Sequence, residues 1–118
     1  MVTNYLKRQF SASVNGRPVG VSATASPGTT IHTAVTGNVH MDEVYLYLTN
    51  NSVSAVSATI EQGGFSGFNN LTLSIPPLSG SVLALPGIPM NGGLDISIFA
   101  SASGSINATG FINRYEVL

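Results

Sequence analysis

Cysteine is missing from this 118-residue chain, which excludes disulfide bridges and leaves the redox compartment unread. Charge is nearly missing as well. Asp, Glu, Lys and Arg supply 8% of the residues, against about 25% in an ordinary soluble domain. The four basic residues are scattered and cannot neutralise many phosphates, so nucleic acid is not an expected partner. No apolar run is long enough to span a bilayer, so no membrane partner is expected. The opening "MVTNYLKRQF" sets its charges after its apolar residues, with no apolar stretch behind them. A secretory signal has the opposite order, and synthesis in a cytoplasm is the expectation.

What is present is apolar and small. The chain is 43% hydrophobic, which excludes the usual charge-rich, apolar-poor disordered composition. Ser, Thr, Asn, Gly and Ala stand where charge normally would. The length suits one domain, able to bury roughly two-thirds of its unfolded surface.

The hydrophobic period is two almost throughout. In "EVYLYLTN", Val44, Leu46 and Leu48 alternate with Glu43, Tyr45, Tyr47 and Thr49, the pattern of a half-buried strand. The next strand places Val56, Ala58 and Ile60 inward, and simple pairing of the two around Asn50-Asn51 would set Glu61 opposite His40. "QGGFSGFNN" reads as a loop, and "LTLSI" resumes the alternation until Pro76-Pro77 stops it. Asn15-Gly16 predicts a hairpin joining two extended runs. "PGIPMNGG" predicts a bend between "GSVLAL" and "LDISIFASA", and Gly110 a bulge in the closing "SINATGFINRYEV". No segment has helical periodicity with a cap ahead of it. About eight short strands, with turn signals roughly every 8 to 12 residues, predict an all-β fold. The expected form is a single antiparallel β-sandwich or jelly-roll-like domain over residues 10–118, preceded by a short N-terminal arm over residues 1–9.

Candidate chemistry is sparse. Asp42 and Glu43 are neighbours, so on a strand they face opposite ways and cannot converge on one substrate. His32 and His40 are the only histidines, and neither their spacing nor a motif supports a metal site. No serine sits in a nucleophile elbow or stands in a persuasive relation to a His–Asp pair. The expectation is therefore no catalytic residue, no cofactor, no metal and no enzyme. The sequon matches at Asn50, Asn70 and Asn107 are chance in an Asn- and Ser/Thr-rich chain without an export signal. The residues expected to meet a partner are Tyr5, Lys7 and Arg8 in the arm, and Tyr45 and Tyr47 on the outward side of their strand. Exposed aromatics there could anchor a protein interface or stack on sugars, with Phe65 and Phe68 as further candidates, or they could form a second core layer.

A free β-sandwich guards its edges with charge, and these strands carry almost none. Near-neutral net charge, −1 here, also favours association. Much of the surface is therefore expected to meet other protein. The phrases "NYLKRQFSASVNGRPVGV", "TTIHTAVTG", "DEVYLYLTN", "LPGIPMNGGLDISIFA" and "GFINRY" resemble the small β-rich virion proteins of tailed bacteriophages, most closely the capsid decoration, or cement, type. The resemblance implies a β-sandwich or jelly-roll head, commonly a homotrimer, on the capsid exterior of the virion. There it would clamp adjacent copies of the major capsid protein, often with an extended terminus. That role would map onto residues 1–9, with Lys7 and Arg8 as contacts. Head-completion or tail parts of a phage share this composition, and a carbohydrate- or receptor-binding module is the alternative from another class.

Overall fold

The computed structural model describes residues 3–117. Met1 and Val2, the first two residues of the expected arm, lie outside them, as does Leu118. Among the described residues, nine strands and one short 3-10 turn (Gly67–Asn69) make up the regular structure. They are β1 (Thr3–Arg8), β2 (Val19–Gly20), β3 (Thr29–Thr33), β4 (Met41–Asn50), β5 (Val56–Gln62), β6 (Asn70–Ile75), β7 (Val82–Met90), β8 (Asp95–Ala100) and β9 (Ile106–Val117).

All strand pairs are antiparallel and fall into two sheets. One runs β1-β9-β4-β7, with β2 also pairing β9; the other runs β3-β8-β5-β6. Counted as one interrupted first strand, β1 and β2 reduce the set to eight, ordered 1-8-3-6 and 2-7-4-5. That is the jelly roll, two Greek keys folded into facing sheets. The fold is an all-β sandwich, as its period-two patterning predicts.

Strand β4 shows why the sandwich closes. Asp42, Val44, Leu46, Leu48 and Asn50 are buried, while every alternate residue is half-exposed. From the facing sheet Val56, Ala58, Ile60, Ile75, Ile96 and Ile98 meet them, and Ile106, Ala108 and Ile112 of β9 complete the layer. Burying one such side chain is worth about 1.5–3 kcal/mol. β-branched residues dominate this set because they pack well on a pleated surface.

Three local expectations are corrected and one is narrowed. The turn at Asn15-Gly16 forms, with both residues in the left-handed region (φ 55° and 82°) and Arg17 N–H donating to the Val14 carbonyl at 3.0 Å. No hairpin surrounds it, since only Val19 and Gly20 become strand, and they pair with β9. Asn50-Asn51 does not turn β4 back onto β5; the chain there crosses to the other sheet, so Glu61 never faces His40. The bend expected over "PGIPMNGG" forms only in its last residues, where Asn91, Gly92 and Gly93 turn β7 into β8 with both glycines at positive φ. Strand β7 runs through Pro86 and Pro89, tolerated because it is an edge strand with two register shifts against β4. Finally, β9 keeps an unbroken register with β4 through Gly110. Glycine is needed there for another reason: its φ is 141°, and a Cβ would collide with the Tyr45 carbonyl oxygen.

Candidate functional site

The register gathers four of the five expected contact residues on the outward face of the first sheet. Tyr5 pairs with Tyr115, Tyr115 with Met41, Lys7 with Asn113, Phe111 with Tyr45, and Tyr47 with Thr109. Directly opposed residues share a face, so Tyr5, Lys7, Tyr45 and Tyr47 lie together. Three of the four engage aromatic rings of β9. Tyr5 meets Tyr115 edge-on at 4.7 Å between centroids, Tyr45 stacks on Phe111 at 4.8 Å, and Lys7 Nζ stands 4.3 Å over the Phe111 ring. These contacts make a second apolar layer outside the core, each worth roughly 0.5–1.5 kcal/mol. Tyr5 remains 64% exposed at its rim. Desolvation, then Tyr115 and Glu43, holds its hydroxyl above the ordinary phenol range, so it stays neutral.

Arg8 pairs with Ile112, a core residue, so it has the opposite parity to Lys7. It joins Lys7, Gln9, Phe10, Ser11 and Ser13 around an open cleft of about 450 Å³. A smaller apolar depression of about 260 Å³ lies among Tyr5, Val39, Met41, Glu43, Pro89 and Tyr115. The six residues of β1 are all exposed and form an edge strand along the C-terminal half of β9. Phe65 and Phe68 are also exposed, at 60% and 103%, but they lie in the β5–β6 connection of the other sheet. They do not share a platform with the tyrosines.

Behind the cleft is a constellation that the sequence reading missed. The Ser11 N–H and hydroxyl lie 3.0 and 2.8 Å from His32 Nδ1, and His32 Nε2 lies 2.9 Å from Asp42 Oδ2. Arg114 grips the same carboxylate with two donors, Nε to Oδ1 at 2.7 Å and Nη2 to Oδ2 at 3.0 Å, and Val35 N–H adds a fourth donor at 3.0 Å. The expectation that no serine stands in a persuasive relation to a His–Asp pair is thus overturned. Ser11, His32 and Asp42 are 21 and 10 residues apart in the chain, and only the fold joins them.

The bonding pattern fixes the imidazole's tautomer. Because the Ser11 N–H points at Nδ1, that nitrogen is the acceptor, and Nε2 carries the proton donated to Asp42. A serine hydroxyl beside a neutral imidazole has the ingredients of an activated nucleophile. Its hydrogen bonds are already committed within the fold. Nδ1 already receives a backbone donor, and Ser11 Oγ accepts the Thr33 N–H at 2.8 Å. Ser11's own amide is committed, so it cannot turn to a developing oxyanion. Arg114 neutralises the carboxylate that would otherwise support an imidazolium. The contacts instead fasten residues 10–12 along β3, where Ala12 N–H also donates to the Ile31 carbonyl at 3.1 Å. They lie where the β3–β8 register shifts, between Thr30 and His32. The arrangement is a clasp between the segment after β1, β3, β4 and β9.

Asp42, the second residue of β4, is fully buried. Burial alone would raise its pKa. The hydrogen bonds from Arg114 and His32, with the Arg114 charge and the Val35 amide, outweigh burial and hold the carboxyl below the usual range. Arg114 is raised in turn, chiefly by its bonds to Asp42. Glu61 is buried in the same manner, accepting the Ser26 hydroxyl and the Gly28 N–H at 2.7 Å. Gly28 packs against the Ile98 backbone too closely for any Cβ. His40, far from Glu61, accepts the Val117 N–H at 3.1 Å. Among the described residues no group of three or more His, Cys, Asp or Glu side chains is placed to hold a metal ion, and no helix is long and apolar enough to cross a membrane. Comparison of the chain with protein-family models, with curated proteins and with solved structures finds no match.

Proposed function

We propose that this protein is a virion structural protein: a capsid decoration protein that binds the outside of a tailed-phage head as a homo-oligomer and stabilises contacts between major capsid subunits. The observation that carries the proposal is the character of the exterior. Asp42 and Glu61 are buried and Arg114 is committed to Asp42. Lys7, Arg8, Arg17, Glu43, Asp95 and Glu116 remain as the charged residues that are neither buried nor in the clasp. Against them stand large exposed apolar side chains, among them Phe68, Val53 at 82% and Leu78 at 68%. A surface so poor in charge and so rich in apolar groups associates unless something covers it. Many weak contacts repeated over a lattice would stabilise it by mass action.

The jelly roll is compatible with this role but does not select it, since one fold hosts many functions. The shell's identity comes from the resemblance to phage decoration proteins. No catalytic step is involved. Lys7 is held over Phe111 and Arg114 on Asp42, which leaves little positive charge for nucleic acid. The test is to mix purified protein with undecorated phage heads, then measure bound copies and the temperature of head disruption. Saturable binding with a raised disruption temperature is expected. Heads that carry no copies at saturating protein would end the proposal. Binding on a glycan array, lost in Tyr47→Ala, would favour the carbohydrate-binding alternative instead.

A further inference from the structure

The four sheet edges are not protected alike. Strand β7 carries Pro86, Pro89 and two register shifts. Strand β3 has five residues and a shift, and Ala12 donates to its Ile31 carbonyl. Strand β1 ends in Lys7 and Arg8. Bulges, prolines, short length and lysines are the devices by which edges resist pairing with another chain. Strand β6, as long as β1 and one residue longer than β3, has no bulge, proline or lysine. Its six residues, "NLTLSI", contain no charge and no proline and match β5 pair for pair without a break. β6 ends its sheet, and among the described residues no strand pairs with its other side.

The core is open on the same side. Eight apolar residues touch it while only partly buried, and six of them lie on the two strands that end the sheets here. They are Leu71 and Leu73 in β6 and Val82, Ala84, Ile88 and Met90 in β7.

We infer that β6 is a self-association edge, at which a second copy of this chain pairs its own β6 antiparallel across a two-fold axis. Self-complementarity identifies the occupant. An axis perpendicular to the sheet pairs residues of equal parity, because side chains alternate between faces. Centred on Leu73, it sets Leu71 against Ile75 of the second copy, and Thr72 against Ser74. Inward apolar groups then meet apolar groups, outward hydroxyls meet hydroxyls, and no charges oppose. The contact is isologous and closes on itself. It joins two sheets into one and brings both copies' β7 strands to the same side, over the open core. The inference rests on the self-association part of the proposed function. It specifies a dimer contact, where the resemblance implies trimers.

Sedimentation velocity on the full chain tests it, with Thr72→Lys/Ser74→Lys and Thr72→Glu/Ser74→Glu as variants. Both positions are exposed, and far-ultraviolet circular dichroism checks that each variant folds. The parent sediments as a dimer. Each like-charged variant dissociates about tenfold more readily or worse, since like charges sit opposite across the axis. Mixing the Lys and Glu variants restores the dimer. Variants that keep the parent's mass, or a parent trimer indifferent to them, would overturn the pairing. Should the variants not fold, amide exchange on the parent decides: β6 amides slow as concentration rises through the dimer range, and exchange independent of concentration would refute the contact. A monomeric parent that still loads onto undecorated heads would sink the β6 contact and leave the decoration role standing. A β6-dependent dimer that ignores heads would do the reverse.

Discussion

Replacing Asp42 with Ala removes the acceptor at which His32, Arg114 and the Val35 amide converge. His32 is 2% exposed and the Arg114 side chain 18%, so water can replace little of what is lost. Removing one partner of a buried ion pair costs about 3–5 kcal/mol, because the other is left uncompensated. Against a total stability of about 5–15 kcal/mol for a domain, that is a large fraction. Urea denaturation followed by circular dichroism at neutral pH should therefore show a much lower midpoint with an unchanged slope. The pH profile supplies a second readout. Asp42's folded pKa lies below its unfolded value, about 3.9, so its contribution is fully present above that value. It is lost as pH falls from there through the depressed folded value. Asp42→Ala should lack this part of the parent's acid sensitivity. Replacing the cluster together, with Asp42→Leu, His32→Leu and Arg114→Met, should cost less than Asp42→Ala alone, because no orphaned charge remains. A variant within about 1 kcal/mol of the parent, or one with the parent's acid profile, would refute the clasp.

Gly110→Ala should prevent folding or cost several kcal/mol, on the order of the largest single-site effects, because the new Cβ meets the Tyr45 carbonyl at a φ that L-residues avoid; soluble yield and thermal midpoint report it. Leu46→Ala, at the fully buried centre of β4, should lose about 2–5 kcal/mol by denaturant titration. Deleting residues 1–9 removes the wholly exposed β1 but spares Phe10 and the clasp; the β signal in circular dichroism should survive while attachment to heads weakens. Loss of that signal would show that β1 belongs to the folding unit.

The strands were legible because alternation is a local property. Val44, Leu46 and Leu48 could be assigned inward, and Tyr45 and Tyr47 outward, from β4 alone. Which strand pairs with which is not local. Asn50-Asn51 has the composition of a hairpin turn but crosses between sheets, since β4 finds its partners 34 and more positions away in β7 and β9. The prolines of β7 looked like breakers because their tolerance depends on edge position, which only the finished sheet defines. The contact face was half legible: parity united Tyr45 with Tyr47, but Lys7 over Phe111 required knowing that β1 lies along β9. The clasp was illegible. Its four side chains come from four separate segments, and nothing in "MDEV" distinguishes a buried aspartate from a surface one.

The proposed decoration role requires that this charge-poor exterior be covered by other protein. Light scattering on the purified full chain, over a range of micromolar concentrations, addresses it most directly. An assembled mass of at least two chains, growing with concentration, is the predicted result. A single-chain mass that stays constant and freely soluble across the range would contradict it.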